Sequence, residues 1–334
     1  MARYFVTGAT GFVGGRLAVQ LRESGHQVVA IAREPGRADA LRAAGVEVRR
    51  GDVLEPESLP GPMAGCDGVF HLAGWYRIGT RHAREGERIN VDGTRNVLEC
   101  MRHLRVPRGV YTSTLAVHGN TRGRLVDETH RHAGPFESAY DRSKWRAHHE
   151  VALPMMRAGL PLVIVMPGLV YGPGDTSIVH TLLVRYLTRK LPMVPAWSAY
   201  SWAHVDDVAR GHVLAMQRGR AGESYHLAGP AATLVEALAL AERITGVPRP
   251  ATVAPPWLLR ALAAVMTPVA LIAPLEGEYH PETLRVMAGV TYQGRADKAK
   301  SELGWSARAL DVGLRETLVC EMALLGMPAP SASR

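Results

Sequence analysis

Over residues 1–170, short runs dominated by Val, Ile and aromatic residues alternate with longer stretches in which apolar positions recur every three or four residues. Residues 3–7, 27–32, 46–50, 68–72, 109–113 and 162–166 are the runs expected to form strands, and the stretches between them carry the helical period. Strands apolar on both faces and joined by helices bury both sides of a sheet. That predicts parallel pairing, right-handed crossovers and a doubly wound α/β fold, with ligands beyond the carboxyl ends of the strands. The alternation fails after Pro167: residues 172–203 are rich in proline and aromatics, and 248–281 are proline-dense and apolar. Residues 202–227 return to the strand and helix pattern. The expected organisation is a large domain from 1–170 plus about 203–230, a smaller discontinuous C-terminal lobe from about 171–202 and 231–325, and a flexible tail at 326–334.

Of the 334 residues, 47% are apolar and 21% charged, enough to build a core and to exclude a disordered chain. The net charge of +8 permits an acidic partner, but the 39 basic residues are scattered, with no run of five or six, so nucleic-acid binding is not expected. Cys66, Cys100 and Cys320 lack CxxC spacing, which points to neither a disulfide framework nor a zinc site; no metal is expected. The chain enters a strand and a glycine turn at once, without an export segment, and a cytoplasmic protein is expected. The longest uncharged stretch, residues 261–275, holds Pro268 and Pro274 and is shorter than the roughly 20 residues needed to span a bilayer, so no transmembrane segment is expected. It is expected to cover a substrate pocket or a subunit interface, the alternative being contact with a membrane surface or a lipid-like substrate.

Thr7-Gly8-Ala9-Thr10-Gly11-Phe12-Val13-Gly14 follows a predicted strand and opens a predicted helix. Gly8 suits the tight turn, Gly11 lets backbone N–H groups approach a pyrophosphate, Gly14 lets the helix pack closely, and the helix N-terminus adds partial positive charge. Asp52-Val53 ends the third strand, where a carboxylate accepts from an adenine amino group. The second strand ends Ala32-Arg33, where an acid would hold a ribose 2′-OH in an NAD protein. Arg33, with Arg37, pairs instead with a 2′-phosphate, so NADP(H) is the expected cofactor and NAD the second choice. Glu34 becomes the deciding acid under a one-residue shift of register.

Tyr140-Asp141-Arg142-Ser143-Lys144 places Tyr140 and Lys144 one helical turn apart on one face. An ammonium there favours phenolate and brings the phenol toward proton exchange with a carbonyl or carbinol. Tyr186 and Lys190 share the spacing, but Tyr186 falls in the variable lobe, where a structural role is expected. Tyr140 follows the strand ending Tyr111-Thr112-Ser113-Thr114, at the sheet end where a nicotinamide reaches.

With Gly51-Asp52-Val53, His71-Leu72-Ala73-Gly74, Asn90-Val91-Asp92-Gly93-Thr94, Thr112 to Gly119, Pro167 to Pro173 and His204-Val205-Asp206-Asp207-Val208-Ala209 in this order, the chain resembles an extended short-chain dehydrogenase/reductase of the NAD-dependent epimerase/dehydratase family. The resemblance spans about 210 residues and implies a Rossmann domain with Thr114, Tyr140 and Lys144 as catalytic residues. Thr114 would polarise the substrate oxygen, Tyr140 would exchange the proton, and Lys144 would hold the nicotinamide ribose and tune Tyr140. Gly8, Thr10, Gly11, Phe12, Val13, Gly14, Arg33, Asp52, Val53, Leu72, Ala73, Gly74, Thr112, Pro167 and Val170 would line the cofactor, and Asn90 would tie backbone together behind the site. A homodimer through residues 87–101 and 138–155, apolar at helical spacing, is the family expectation.

The Asn and the Thr-Arg pair that sugar-nucleotide members use on a diphosphate are not present; Pro167-Gly168-Leu169 and Trp197-Ser198-Ala199-Tyr200-Ser201-Trp202-Ala203 stand there instead, and Trp75-Tyr76 follow the HLAG block. Trp75, Tyr76 and Trp202 are the expected substrate contacts, suited to an apolar or aromatic small molecule. The pattern is similar to dihydroflavonol-reductase-like proteins and to the hopanoid-associated sugar-epimerase group. An NADP(H)-dependent ketone reductase or alcohol dehydrogenase is the leading expectation. The alternatives are an epimerase or dehydratase of a sugar derivative and a non-catalytic NADP sensor.

Overall fold

Alternate residues of β1 (Arg3–Thr7) enter different cores: Tyr4 and Val6 pack with Leu17, Val208 and Met216, while Phe5 packs with Val29, Val69, Leu98 and Met101. Both faces of the sheet are thus buried, as the continuous apolar runs require. The computed structural model describes residues 1–79, 82–273, 275 and 277–329. In it, β1 joins β2 (Gln27–Ala32), β3 (Glu47–Arg50), β4 (Gly68–His71), β5 (Gly109–Thr112) and β6 (Leu162–Pro167). After β7 (Leu169–Tyr171), β8 (Val194–Pro195) and β9 (Ala199–His204), the chain returns as β10 (Ser224–Leu227). The seven-stranded sheet runs β10-β6-β5-β4-β1-β2-β3 with every neighbouring pair parallel. Its strand order reverses between β1 and β4, where a doubly wound sheet opens a crevice at its carboxyl end.

One face is covered by the helices Phe12–Glu23 and Val205–Arg218. The other carries Ala83–His103 and the helix Ala139–Arg146, which continues through a widened π segment, Ala147–Ala152, into Leu153–Arg157. The apolar positions of these helices, expected at a subunit contact, point into that core: Val91, Val97, Leu98, Met101, Ala147 and Val151 are buried. Outward stand Arg84, Glu85, Arg88, Asp92, Arg95, Glu99 and Arg142.

The segments after β6 build smaller sheets. Strand β9 pairs with β7, with β11 (Ala231–Thr233) and with β13 (Thr291–Tyr292), and β8 pairs with β12 (Val253–Ala254). Their core holds Tyr171, Leu183, Tyr186, Trp202, Leu238, Leu314 and Leu318. The chain comes back to the main sheet with the helix Val205–Arg218 on its face and β10 at its edge, while β9 pairs within the smaller sheet. The apolar stretch at 261–275 lies mostly within the helix Pro256–Ile272; Pro274 and residues 330–334 of the expected tail fall outside the described residues. Among the described residues no helix is long and apolar enough to cross a membrane.

Candidate active site

The glycine turn sits at the β1/β4 crevice because Gly8 has a left-handed φ of +72° and no side chain. A Cβ there would lie 2.6 Å from the Ala73 nitrogen and 2.8 Å from the Leu72 carbonyl carbon. Gly14 is equally constrained, since a Cβ on it would lie 2.1 Å from the Gly8 oxygen. The Gly11 amide closes the turn onto the Gly8 oxygen at 3.0 Å. Gly11 then caps the helix Phe12–Glu23 without a side-chain acceptor, and the first turn has no acid. Its N–H groups and partial positive charge are left for an external anion. Thr10 and Gly11 are exposed at this end, and Phe12 and Val13 are half-buried.

A hydrogen-bonded ladder locks the Leu72-Ala73-Gly74 turn beside it. The Ala73 amide donates to Thr7 Oγ1 at 3.1 Å, Thr7 meets His71 Nδ1 at 2.8 Å, and His71 Nε2 meets Thr94 Oγ1 at 3.1 Å. Burial, then the nearby Lys144, pushes the His71 pKa down to about 3, so the ring is neutral. At the far end of the crevice, Asp52 accepts from the Leu54 amide at 3.0 Å and is half-buried. Val53 is buried against Gly93, and its carbonyl accepts from Asn96 at 2.8 Å. Arg33 is exposed at the end of β2, while Glu34 pairs with Arg37 at 3.3 Å.

Thr114 follows the carboxyl end of β5, and the helix Ala139–Arg146 brings Tyr140 beside it and Lys144 onto the last residues of the strand. Ser138 caps this helix by accepting from the Asp141 amide at 3.1 Å. Tyr140 is half-buried with Thr114 beside it, while Thr114 Oγ1 accepts from the Ala116 amide at 3.2 Å. Burial raises the Tyr140 pKa to about 12, the Thr114 contact works against that shift, and neighbouring Asp141 adds to it. The Lys144 ammonium, one helical turn on from Tyr140, is buried. Its Nζ donates to the Thr112 carbonyl at 2.8 Å and to the Tyr111 hydroxyl at 3.4 Å, and burial lowers its pKa to about 8. A Cβ on Gly74 would lie 3.9 Å from that Nζ, so the glycine keeps the turn close to the ammonium.

Asn90, His212 and Asp141 support the site, and only Asn90 was singled out from the sequence. Asn90 accepts from the Trp75 amide at 2.8 Å and donates to the Trp75 carbonyl at 2.9 Å and to Ser143 Oγ at 2.8 Å. It therefore ties backbone as expected, and joins it to the Tyr140 helix through Ser143, which only the packed helix pair reveals. His212 Nδ1 donates to the Val208 carbonyl at 2.8 Å, which leaves Nε2 to accept from the Thr112 hydroxyl at 2.8 Å. Asp141 is buried, accepts from the Tyr292 hydroxyl at 2.8 Å, and has its pKa pushed up to about 7 by burial.

A family model for the NAD dependent epimerase/dehydratase family matches residues 4–228, two thirds of the chain. The chain belongs to this family. It is 35% identical, over 94% of its length and 93% of the relative's, to a protein of Synechocystis sp. provisionally named dihydroflavonol 4-reductase. It is 30% identical, over 92% of each, to the 4-hydroxy-2-methyl-3-oxo-4-farnesyl-3,4-dihydroquinoline-1-oxide ketoreductase of Stigmatella aurantiaca. The crystal structure of gox2253 superposes with a TM-score of 0.83 at 30% identity, covering 98% of this chain and all of that one. This family member is an NAD(P)-dependent enzyme of the short-chain dehydrogenase/reductase type with a Rossmann fold.

The crevice fits a dinucleotide, because the uncapped helix start and the Gly8 and Gly14 contacts leave room for a pyrophosphate against backbone. Pro167 is buried at the end of β6, and Val170 packs half-buried against the core. The three expected substrate aromatics part company. Tyr76 is exposed, its hydroxyl 3.4 Å from Thr176. Trp75 is half-buried with its ring over Gly86, where a Cβ would lie 2.1 Å from it. Trp202 instead packs in the smaller core, its indole N–H donating to the Ala232 carbonyl at 3.1 Å and its ring edge-on to Tyr171. A strand with every residue buried makes its aromatics structural. Tyr186 is structural too: its hydroxyl donates to the Val247 carbonyl at 2.6 Å.

Proposed function

We propose that the protein is an NADPH-dependent reductase of an apolar or aromatic ketone. The observation that carries the reading is the placement of Tyr140 beside Thr114, one helical turn from the buried Lys144 whose ammonium lies beside the Leu72-Ala73-Gly74 turn. In this arrangement Thr114 donates to the carbonyl oxygen and Tyr140 passes it a proton. A phenol held near pKa 12 is protonated at neutral pH, which suits the reductive direction. Lys144, fixed on the Thr112 carbonyl, is placed to donate to a ribose hydroxyl and to stabilise negative charge on the phenol oxygen. Reduced nicotinamide, when bound, supplies the hydride.

Exposed Arg33 supports NADP(H) over NAD: Glu34, the acid that would compete for the ribose, is engaged by Arg37. The ketone class is supported by the two reductase-named relatives, whose names specify a dihydroflavonol and a farnesylated 3-oxo-dihydroquinoline oxide. It is also supported by Trp75 and Tyr76 on the loop beside Gly74.

The test is NADPH oxidation by the purified enzyme against aromatic, steroidal and terpenoid ketones, with nucleotide sugars alongside. Net oxidation with a ketone, reduced about 100-fold or more in Tyr140→Phe while cofactor binding persists, supports the reading. Sugar conversion without net oxidation, or full activity in Tyr140→Phe, overturns it.

A further inference from the structure

The helix Pro256–Ile272 is apolar apart from Arg260 and Thr267, whose hydroxyl donates to the Ala263 carbonyl of its own helix, yet among the described residues the protein covers only one stripe of it. Leu259 and Ala263, with Met266, pack on Leu284 and Ala288. The remaining faces are open: Trp257 is 69% exposed, Val265 64% and Ile272 90%, with Leu258, Leu262 and Val269 exposed beside them. An apolar helix left bare over most of its circumference has no folding reason to be so.

Its surroundings specify the partner. Residues 185–195 and 242–273 hold six basic residues and one acid, Glu242, which pairs with Arg249 at 3.5 Å, and the pairing of β8 with β12 brings the two segments together at the start of this helix. Arg189, Lys190, Arg243, Arg249 and Arg260 are exposed there. Bare apolar side chains ending in Trp257 and rimmed by cations match a bilayer surface carrying anionic lipid, and a helix of 17 residues lies on such a surface without crossing it. A second copy of the chain would bring the same cations against one another. The geometry points to this helix as a docking face for an anionic membrane surface.

The helix packs on Pro281–Met287, whose Thr283 and the preceding His280 press on Gly79, while Gly277 donates to the Gly79 carbonyl at 3.2 Å. Gly79 belongs to the loop carrying Trp75 and Tyr76, so docking would hold the cleft mouth toward the bilayer.

Co-sedimentation of the full chain with phosphatidylcholine vesicles, with and without phosphatidylglycerol, tests this. The wild type is expected to pellet with the phosphatidylglycerol vesicles and to be released by salt. Val265→Glu/Ile272→Glu, at exposed positions, should lose about tenfold or more in partition with an unchanged melting curve, and Arg189→Glu/Arg260→Glu should lose the dependence on phosphatidylglycerol. Binding is read without turnover, so failure of the reductase reading leaves it intact. No association of the wild type, equal binding by the first variant, or a self-associated wild type that this variant makes monomeric would each overturn the proposal.

Discussion

Asn90 donates to Ser143 Oγ at 2.8 Å, and Ser143 donates in turn to the Tyr140 carbonyl, also at 2.8 Å. With its two bonds to Trp75, Asn90 couples the loop after β4 to the helix that presents Tyr140. Asn90→Ala removes all three contacts at a site 1% exposed. The expected cost is roughly 2–4 kcal/mol of stability, read by urea denaturation. Turnover should fall more than KM rises, because Tyr140 loses its placement while the cofactor crevice stays. A variant with wild-type stability and turnover would show the linkage to be idle.

Arg33 sets the cofactor prediction. Arg33→Ala should raise KM for NADPH roughly 10- to 100-fold, the worth of a forked guanidinium on phosphate, and leave KM for NADH within about twofold. Equal effects on both cofactors would remove Arg33 from the phosphate.

Lys144 stands at odds with stability. Burial lowers its pKa to about 8 from the usual 10.5, so below pH 8 the ammonium is charged in both states and folding carries the full desolvation cost, about 3 kcal/mol. Between pH 8 and 10.5 the unfolded chain holds the proton and the native one does not, so stability rises with pH across that window. Lys144→Met removes the cost and forfeits about 1 kcal/mol at the Thr112 carbonyl. It should therefore be inactive yet roughly 1–2 kcal/mol more stable at pH 7 without cofactor, the gap closing by pH 10.5. Denaturant midpoints across that range decide it, and a destabilised variant at pH 7 would contradict the account.

The parts of the fold legible in the sequence are those where one local rule governs. β1 and β2 fall on the runs 3–7 and 27–32 because a strand buried on both faces admits few polar residues. The glycine turn was legible because Gly8 and Gly14 face backbone that no side chain can share. What the sequence concealed depends on which elements meet. Trp202 looked like a cleft aromatic until β9 proved buried throughout, and Val91, Val97, Leu98 and Met101 of the 87–101 spacing are buried against the sheet. Spacing put Lys144 one turn from Tyr140, but it could not show that the ammonium also donates to the Thr112 carbonyl and the Tyr111 hydroxyl at the end of β5.

Buried neutral histidines make the fold acid-sensitive. His71 and His118 are lowered to about 3, and His212 and His226 to about 4, each chiefly by burial. His226 Nδ1 donates to the Arg295 carbonyl at 3.1 Å, so its Nε2 accepts from His118 at 2.8 Å. Because these folded pKa values lie below the unfolded 6.5, the unfolded chain binds more protons. The stability is whole above pH 6.5 and is lost as pH falls toward 4. At pH 5 each ring accounts for about 2 kcal/mol, and the four together for roughly 8, comparable to the whole stability of a domain. Asp141 opposes this, since a carboxyl raised to about 7 makes folding more favourable as pH falls from 7, offsetting about a third. Urea midpoints should therefore drop steeply between pH 7 and 5. His212→Asn should flatten that slope by about 1 kcal/mol per pH unit, the loss of the roughly 2 kcal/mol that one ring accounts for over these two units. A midpoint that does not change over this range would mean that these rings are charged in the folded protein.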